Sequence, residues 1–315
     1  MTQEQDMAIK NCILKIHTGS YLYGTNTPES DEDYIGIFIP DPIYLLGIKH
    51  IEQVDLSTKS KDESGKNTNE ANDTVFYTLE KFVRLALDNN PNILEVLFVN
   101  PENILYYNEI GKQLLSLRPH FLAKGAIKQK YLSFAFSQKQ KMIMKVENYD
   151  KLTELLSTLK ENTISCTFLN EIDSPLFERK GQEIILSDIT LPANSPIKKA
   201  IKVIEKRVNR YGSRTILMTK YGMDTKFASN LIRLLYEGLE LLEFGELRFP
   251  LVEADTILEI KQGKWKLEQV LELAEDLEKM VEQAYDNTFL PTHPNRKLIE
   301  DWLFNIYKQQ IIKEK

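Results

Sequence analysis

Two carboxylates one position apart, at the head of an apolar run, restrict this chain more than any other feature. Residues 31 to 39 read Asp-Glu-Asp-Tyr-Ile-Gly-Ile-Phe-Ile. Side chains of a β-strand alternate between faces, so Asp31 and Asp33 are expected to project the same way, about 7 Å apart. Two acceptor-only groups at that separation repel each other unless a cation lies between them. An oxygen-only donor set suits a hard ion, which points to Mg²⁺, with Mn²⁺ as a substitute. Solvated turn acids are the plainer alternative. Against it, Tyr34 to Ile39 continue as a buried strand, where unpaired charge is costly.

Just upstream, the apolar run Ile13-Leu14-Lys15-Ile16 ends at Gly19-Ser20, and a polar loop with Thr25, Thr27, Pro28 and Ser30 follows. A glycine there permits close backbone approach, and successive N–H groups can form an anion nest. Gly19 and Ser20 are therefore candidate phosphate ligands. Asp-Xaa-Asp alone is a weak signal, found in many loops and in some glycosyltransferases. A Gly-Ser turn followed by Asp-Xaa-Asp between two apolar strands is far more specific.

The rest of the chain divides by periodicity. Strand character recurs at 51–56 and 73–77, a helical stripe runs from Leu79 to Leu87, and Pro91 to Phe98 is a short apolar element. Residues 7–16 read as a helix end and a first strand, or as one ragged strand; Ile43 to Gly47 read as a turn or short helix. Ser57 to Asn72 is Lys-, Ser-, Asn- and Glu-rich without periodicity, which predicts a mobile loop. Beyond Gly111 helices are expected near 111–117, 123–146, 148–161, 196–218, 224–244, 265–285 and 295–313. A β-hairpin is expected within Thr163–Ile189, using Ile164–Phe168 and Glu183–Leu186. The predicted fold class is α+β: a domain over 1–110 holding a mixed sheet, then a mainly helical domain over 111–315, with the site in the cleft between them.

Composition narrows the function. Cys12 and Cys166 sit in no metal-like spacing and read as small core residues of a reducing compartment. The N-terminus is too polar for a signal peptide, and no apolar run is long enough to span a membrane, so a cytoplasmic protein without membrane partners is expected. The net charge of −6 argues against a general nucleic-acid coat. Basic residues nevertheless concentrate in one stretch: Lys198, Lys199, Lys202, Lys206, Arg207, Arg210, Arg214, Lys220, Lys226 and Arg233, against Glu205 and Asp224. Lys226, Asn230 and Arg233 fall on one helical face. His17, His50, His120 and His293 are scattered, and only His17 lies close to the Gly-Ser turn.

The Gly19-Ser20 turn with Asp31-Xaa-Asp33 resembles the nucleotidyltransferases of the DNA polymerase beta superfamily. Four further segments narrow the likeness: Asp73 to Val83, Asn90 to Glu95, Lys226 to Leu235 and Glu240 to Pro250. In this order they resemble the bacterial and phage nucleotidyltransferases associated with RNA-ligase and RNA-repair genes, over nearly the whole chain. The resemblance implies a two-metal enzyme that transfers NMP from NTP to an acceptor hydroxyl. It implies a third carboxylate on a later strand, serving as metal ligand or base. Asp73 is the candidate and Asp55 the runner-up. The functional reading of Lys226 and Arg233 is that they close over the triphosphate of the NTP; the alternative is a solvated face with Leu231, Leu234 and Leu235 packed opposite. Asn230 stands where the family would have His, so a role for that His does not carry over. The implied acceptor is an RNA 3′ end, a tRNA among the choices. A protein or small-molecule hydroxyl, and a catalytically quiet nucleotide- or RNA-binding module, are the competing classes.

Overall fold

The computed structural model describes residues 1–28, 30–58, 72–209, 211 and 220–313. The loop expected over 57–72 falls mostly outside these residues, as do Arg210, Arg214 and the end of the helix expected to reach 218. In chain order the first elements are α1 (Gln3–Lys10), β1 (Cys12–Thr18), α2 (Ser20–Tyr23), β2 (Glu32–Phe38), α3 (Pro42–Leu46), β3 (Gln53–Asp55) and β4 (Asn72–Thr78). Next come α4 (Leu79–Leu87), α5 (Pro91–Leu97), β5 (Ile104–Tyr107) and α6 (Glu109–Ser116). The later part holds α7 (Lys124–Glu161), β6 (Glu178–Lys180), β7 (Glu183–Leu186), β8 (Ile189–Pro192) and α8 (Ile197–Asn209). It ends with α9 (Thr225–Phe244), α10 (Ala254–Lys261), α11 (Leu267–Asn287) and α12 (Arg296–Lys313). The fold is α+β, with a mixed sheet early and mainly helices after it.

Two compact units result. The first comprises Met1–Ala135, Leu231–Glu259 and Glu272–Lys315; the second comprises Phe136–Asn230 and Ile260–Leu271. This division differs from a cut at residue 110, because the C-terminal helices group with the early sheet. In the first unit five strands run in the order β3-β4-β2-β1-β5. β2 is antiparallel to β1 and parallel to β4, which makes the sheet mixed. One face packs Phe38, Val54 and Phe76 beneath Met7 and Ala8 of α1. The helix α4 begins where β4 ends, with Thr78 capping the Lys81 N–H, and buries Leu79, Phe82, Val83, Ala86 and Leu87. That stripe is the one its periodicity implies.

The second unit has its own core. Leu152, Leu155 and Leu159 of α7 pack with Ile184 and Leu186 of β7 and with Ile197, Ala200 and Ile204 of α8. Its sheet has three strands, β6-β7-β8, where a hairpin was expected. Ile164–Phe168 is not a strand; Phe168 makes only an isolated bridge to Pro196. The expected break near residue 147 is also absent, since α7 runs unbroken through it. Asn148 and Asp150 are weak helix formers without being helix breakers, and neighbouring packed turns carry the helix across them. No helix among the described residues is long and apolar enough to cross a membrane.

Candidate active site

The ends of β1, β2 and β4 carry the predicted site. Antiparallel pairing sets Thr18 opposite Asp33, and parallel pairing sets Asp33 opposite Asp73. Directly paired residues of neighbouring strands share a face, with backbones about 5 Å apart. Asp33 and Asp73 are therefore adjacent carboxylates on the same side of the sheet. Asp31 lies one residue before β2 and is exposed, so it approaches the row from the loop and not from within the strand. Asp55 pairs with Val75 on the far side of β4, and its Oδ1 accepts the Ser57 N–H at 2.8 Å. The register places Asp73, not Asp55, beside Asp33.

Gly19 completes the row. Its φ is +68°, a conformation costly for any residue with a side chain. A Cβ added there would lie 2.3 Å from Oδ2 of Asp33. The Asp33 carboxylate thus rests against bare backbone, and glycine is required twice, once for its dihedral and once for space. Ser20 then opens α2, whose leading N–H groups have no acceptor inside the helix. Before Asp31, the Thr27 N–H donates to Ser30 Oγ at 2.9 Å and the Ser30 N–H returns a bond to the Thr27 carbonyl, closing the loop.

The donors fit a divalent cation in kind, being all oxygen. They form a row and not a cage: among the described residues no three His, Cys, Asp or Glu are gathered to hold an ion. Mg²⁺ is commonly held by one or two carboxylates together with substrate phosphates, which is the arrangement such a row suits.

Alternation puts His17 and Tyr34 on the opposite face. His17 stacks between Tyr21 and Tyr34, with ring centroids 4.3 and 4.9 Å away, and Lys15 Nζ lies 4.9 Å above the Tyr34 ring. Tyr34 donates to Glu32; burial and that bond push its pKa up to about 12. Burial also lowers the His17 pKa, so its imidazole is neutral at pH 7. The stack ties α2, and with it the Gly-Ser turn, to the sheet. His17, the one histidine close to the Gly-Ser turn in sequence, therefore has a positioning part.

Arg233 is placed unlike its sequence expectation. Arg233 is buried, and its guanidinium engages Glu95 and Glu237 inside the first unit. The Tyr23 hydroxyl donates to the other Glu95 oxygen at 2.7 Å, and the guanidinium carbon lies 4.4 Å over the Tyr23 ring. Arg233 thus locks α2, α5 and α9 together, and its guanidinium is already engaged by Glu95 and Glu237. Burial opposes that charge, but Glu237, Tyr23 and Glu95 outweigh it and hold the pKa well above the usual arginine range. Burial raises the Glu237 carboxyl to about 8, against the pull of Arg233. The sequence does carry a trace of this network: Glu95 is a lone acid inside an apolar run, where a carboxylate survives only with a partner. Lys226 belongs to the second unit and is exposed at the start of α9, where Asp224 Oδ1 accepts its N–H at 3.1 Å.

A mixed sheet carrying a Gly-Ser turn against in-register carboxylates marks a nucleotidyltransferase-like protein of the DNA polymerase beta superfamily. The model of the RNA repair pathway DNA polymerase beta family matches residues 2–170, more than half of the chain, and the protein belongs to that family. An uncharacterized 38.9 kDa protein from the nrdC–mobD intergenic region of Enterobacteria phage T4 is 27% identical, over 86% of this chain and 89% of its own. The crystal structure of a nucleotidyltransferase-like protein from Exiguobacterium sibiricum matches over 97% of this chain and 77% of its own, at 12% identity and a TM-score of 0.27.

Proposed function

We propose that the protein transfers a nucleoside monophosphate from an NTP to an acceptor hydroxyl, with the 3′ end of an RNA as acceptor. The observation that carries this reading is the in-register pair Asp33–Asp73 beside the bare backbone of Gly19. In the step, the acceptor oxygen bonds to the α-phosphorus and the bond from that phosphorus to the bridging oxygen breaks. The electron pair leaves with pyrophosphate. Asp73, exposed at the head of β4, takes the hydroxyl proton. Gly19 and Ser20 hold phosphate oxygens through backbone N–H and hydroxyl, which orients the leaving group. Asp31, Asp33 and Asp73 would hold divalent ions, which when bound lower the pKa of the attacking hydroxyl and offset charge on the leaving oxygens. Lys226, exposed and cationic, is proposed as a triphosphate ligand. Arg233 is reassigned to holding α2 in place.

The test is incubation with each α-³²P-labelled NTP, Mg²⁺ and an RNA pool, beside the double variant Asp31→Asn/Asp33→Asn. Label entering RNA only with the unaltered protein supports the reading and names the base. Label entering protein moves the acceptor to a polypeptide.

A further inference from the structure

The chain is acidic as a whole, yet its two units have opposite charge. The second unit has 19 Lys and Arg against 12 Asp and Glu, a net of +7 within a chain of net −6. The remainder, 21 basic against 34 acidic, carries −13. Such a split is not expected of a unit whose charges serve only solubility.

Within the second unit the cations are ordered on α8. At about 100° per residue, Lys198, Lys199, Lys202 and Lys206 fall within one quarter-turn to third of the helix circumference. Ile197, Ala200 and Ile204 occupy the opposite side and are buried in the core with Leu152 and Leu155. All four lysines are exposed. The other charges of the helix are turned to neighbours: Glu205 pairs with Lys160 of α7 at 2.9 Å, and Arg207 pairs with Asp188. Among the described residues none of the four lysines makes an ion pair, while the one acid of the helix is neutralised. The stripe is about 12 Å long, from eight steps of 1.5 Å rise.

We infer that this stripe grips the phosphate backbone of the RNA acceptor. A row of unpaired ammonium groups on a rigid helix fits a chain of phosphates, because each contact releases condensed counterions and adds affinity without reading sequence. The inference rests on the RNA-acceptor reading of the site but assigns the contact to a surface that carries none of the proposed catalytic groups.

The experiment is fluorescence-anisotropy binding of a labelled single-stranded RNA across a salt series, without NTP. The chain is compared with Lys198→Gln/Lys199→Gln/Lys202→Gln/Lys206→Gln and with a control bearing Lys10→Gln/Lys112→Gln/Lys297→Gln/Lys308→Gln in the first unit. At about 0.7 per phosphate contact, the log–log salt slope of the α8 variant should become shallower by about 3, while the control keeps its slope. A change below about 1, fewer than two contacts at that coefficient, overturns the proposal, as does an equal change in the control. NTP affinity should be the same in all three proteins; a loss confined to the α8 variant would assign the stripe to the triphosphate instead and overturn the RNA contact. RNA binding with an unchanged slope sinks only the surface. No RNA binding, with label still transferred to another acceptor, sinks the RNA reading itself.

Discussion

Asp33 and Asp73 are direct neighbours across two parallel strands, although β3 and the segment after it separate them in the chain. Parallel pairing keeps both side chains on one face and at one end of the sheet. That end is also where Gly19 brings the chain against the Asp33 carboxylate. The site is thus a consequence of strand register, and small changes at these three positions should separate chemistry from folding.

Replacing Asp73 by Asn should lower kcat/KM for nucleotidyl transfer by about two to three orders of magnitude, the range seen when one preorganised electrostatic group is removed. Asp55→Asn should change it only a few-fold, because Asp55 lies beyond β4 and caps Ser57. Single-turnover rates on the two variants decide between them. Melting temperature should stay level or rise slightly in Asp73→Asn, since one of two adjacent like charges is gone.

Gly19→Ala tests the contact between backbone and carboxylate. The positive φ alone should cost about 1–3 kcal/mol. The added methyl must also displace Asp33, so activity should fall far more than stability. Denaturant melts beside transfer rates measure both. Activity close to that of the parent would show that Asp33 does not need to lie against Gly19.

Lys226→Ala should raise the KM for NTP several-fold and leave RNA affinity in place. Equal loss of both would assign Lys226 to the fold and not to the triphosphate.

Arg233→Met should destabilise the protein by about 3–5 kcal/mol, because Glu95 would be left buried without a counter-charge and Glu237 would lose its hydrogen-bond donor. Urea melts read this directly. If Arg233 were a surface phosphate ligand, stability would barely move and only the KM for NTP would rise.

Glu237 also sets a pH dependence. Its folded pKa, near 8, lies above the unfolded value of 4.5, so between those values the folded state binds the extra proton. Stability from this group is therefore full below about 4.5 and declines as pH rises through 8. Glu237→Gln should flatten that part of the curve of stability against pH from 5 to 9. A curve unchanged by the substitution would show that Glu237 is ionised throughout.

Much of this was legible where local chemistry dictates structure. The helix Leu79–Leu87 has an apolar stripe and a capping threonine, and it folds over those residues. The strand after Asp31-Glu32-Asp33 was visible in its apolar continuation, and it begins at Glu32. What stayed hidden depends on partners distant in sequence or on competition between weak preferences. Glu95 reads as a helix-start charge until Arg233, 138 positions away, is seen to meet it. The strand β5 has exposed Leu105, Tyr106 and Tyr107 and no alternation to announce it; only pairing to β1 defines it. The helix α2 occupies part of what reads as a polar loop, and it is held by Tyr21 on His17 and Tyr23 on Glu95, not by helix propensity.

The most direct measurement is the fate of label from α-³²P-NTP, with Mg²⁺ and RNA, in the unaltered protein and in Asp33→Asn and Asp73→Asn. Label is expected on the RNA 3′ end, with pyrophosphate released one for one and loss of both in either variant. Label transferred at an undiminished rate by both variants would contradict this, since the in-register carboxylates would then not be the groups that carry the reaction.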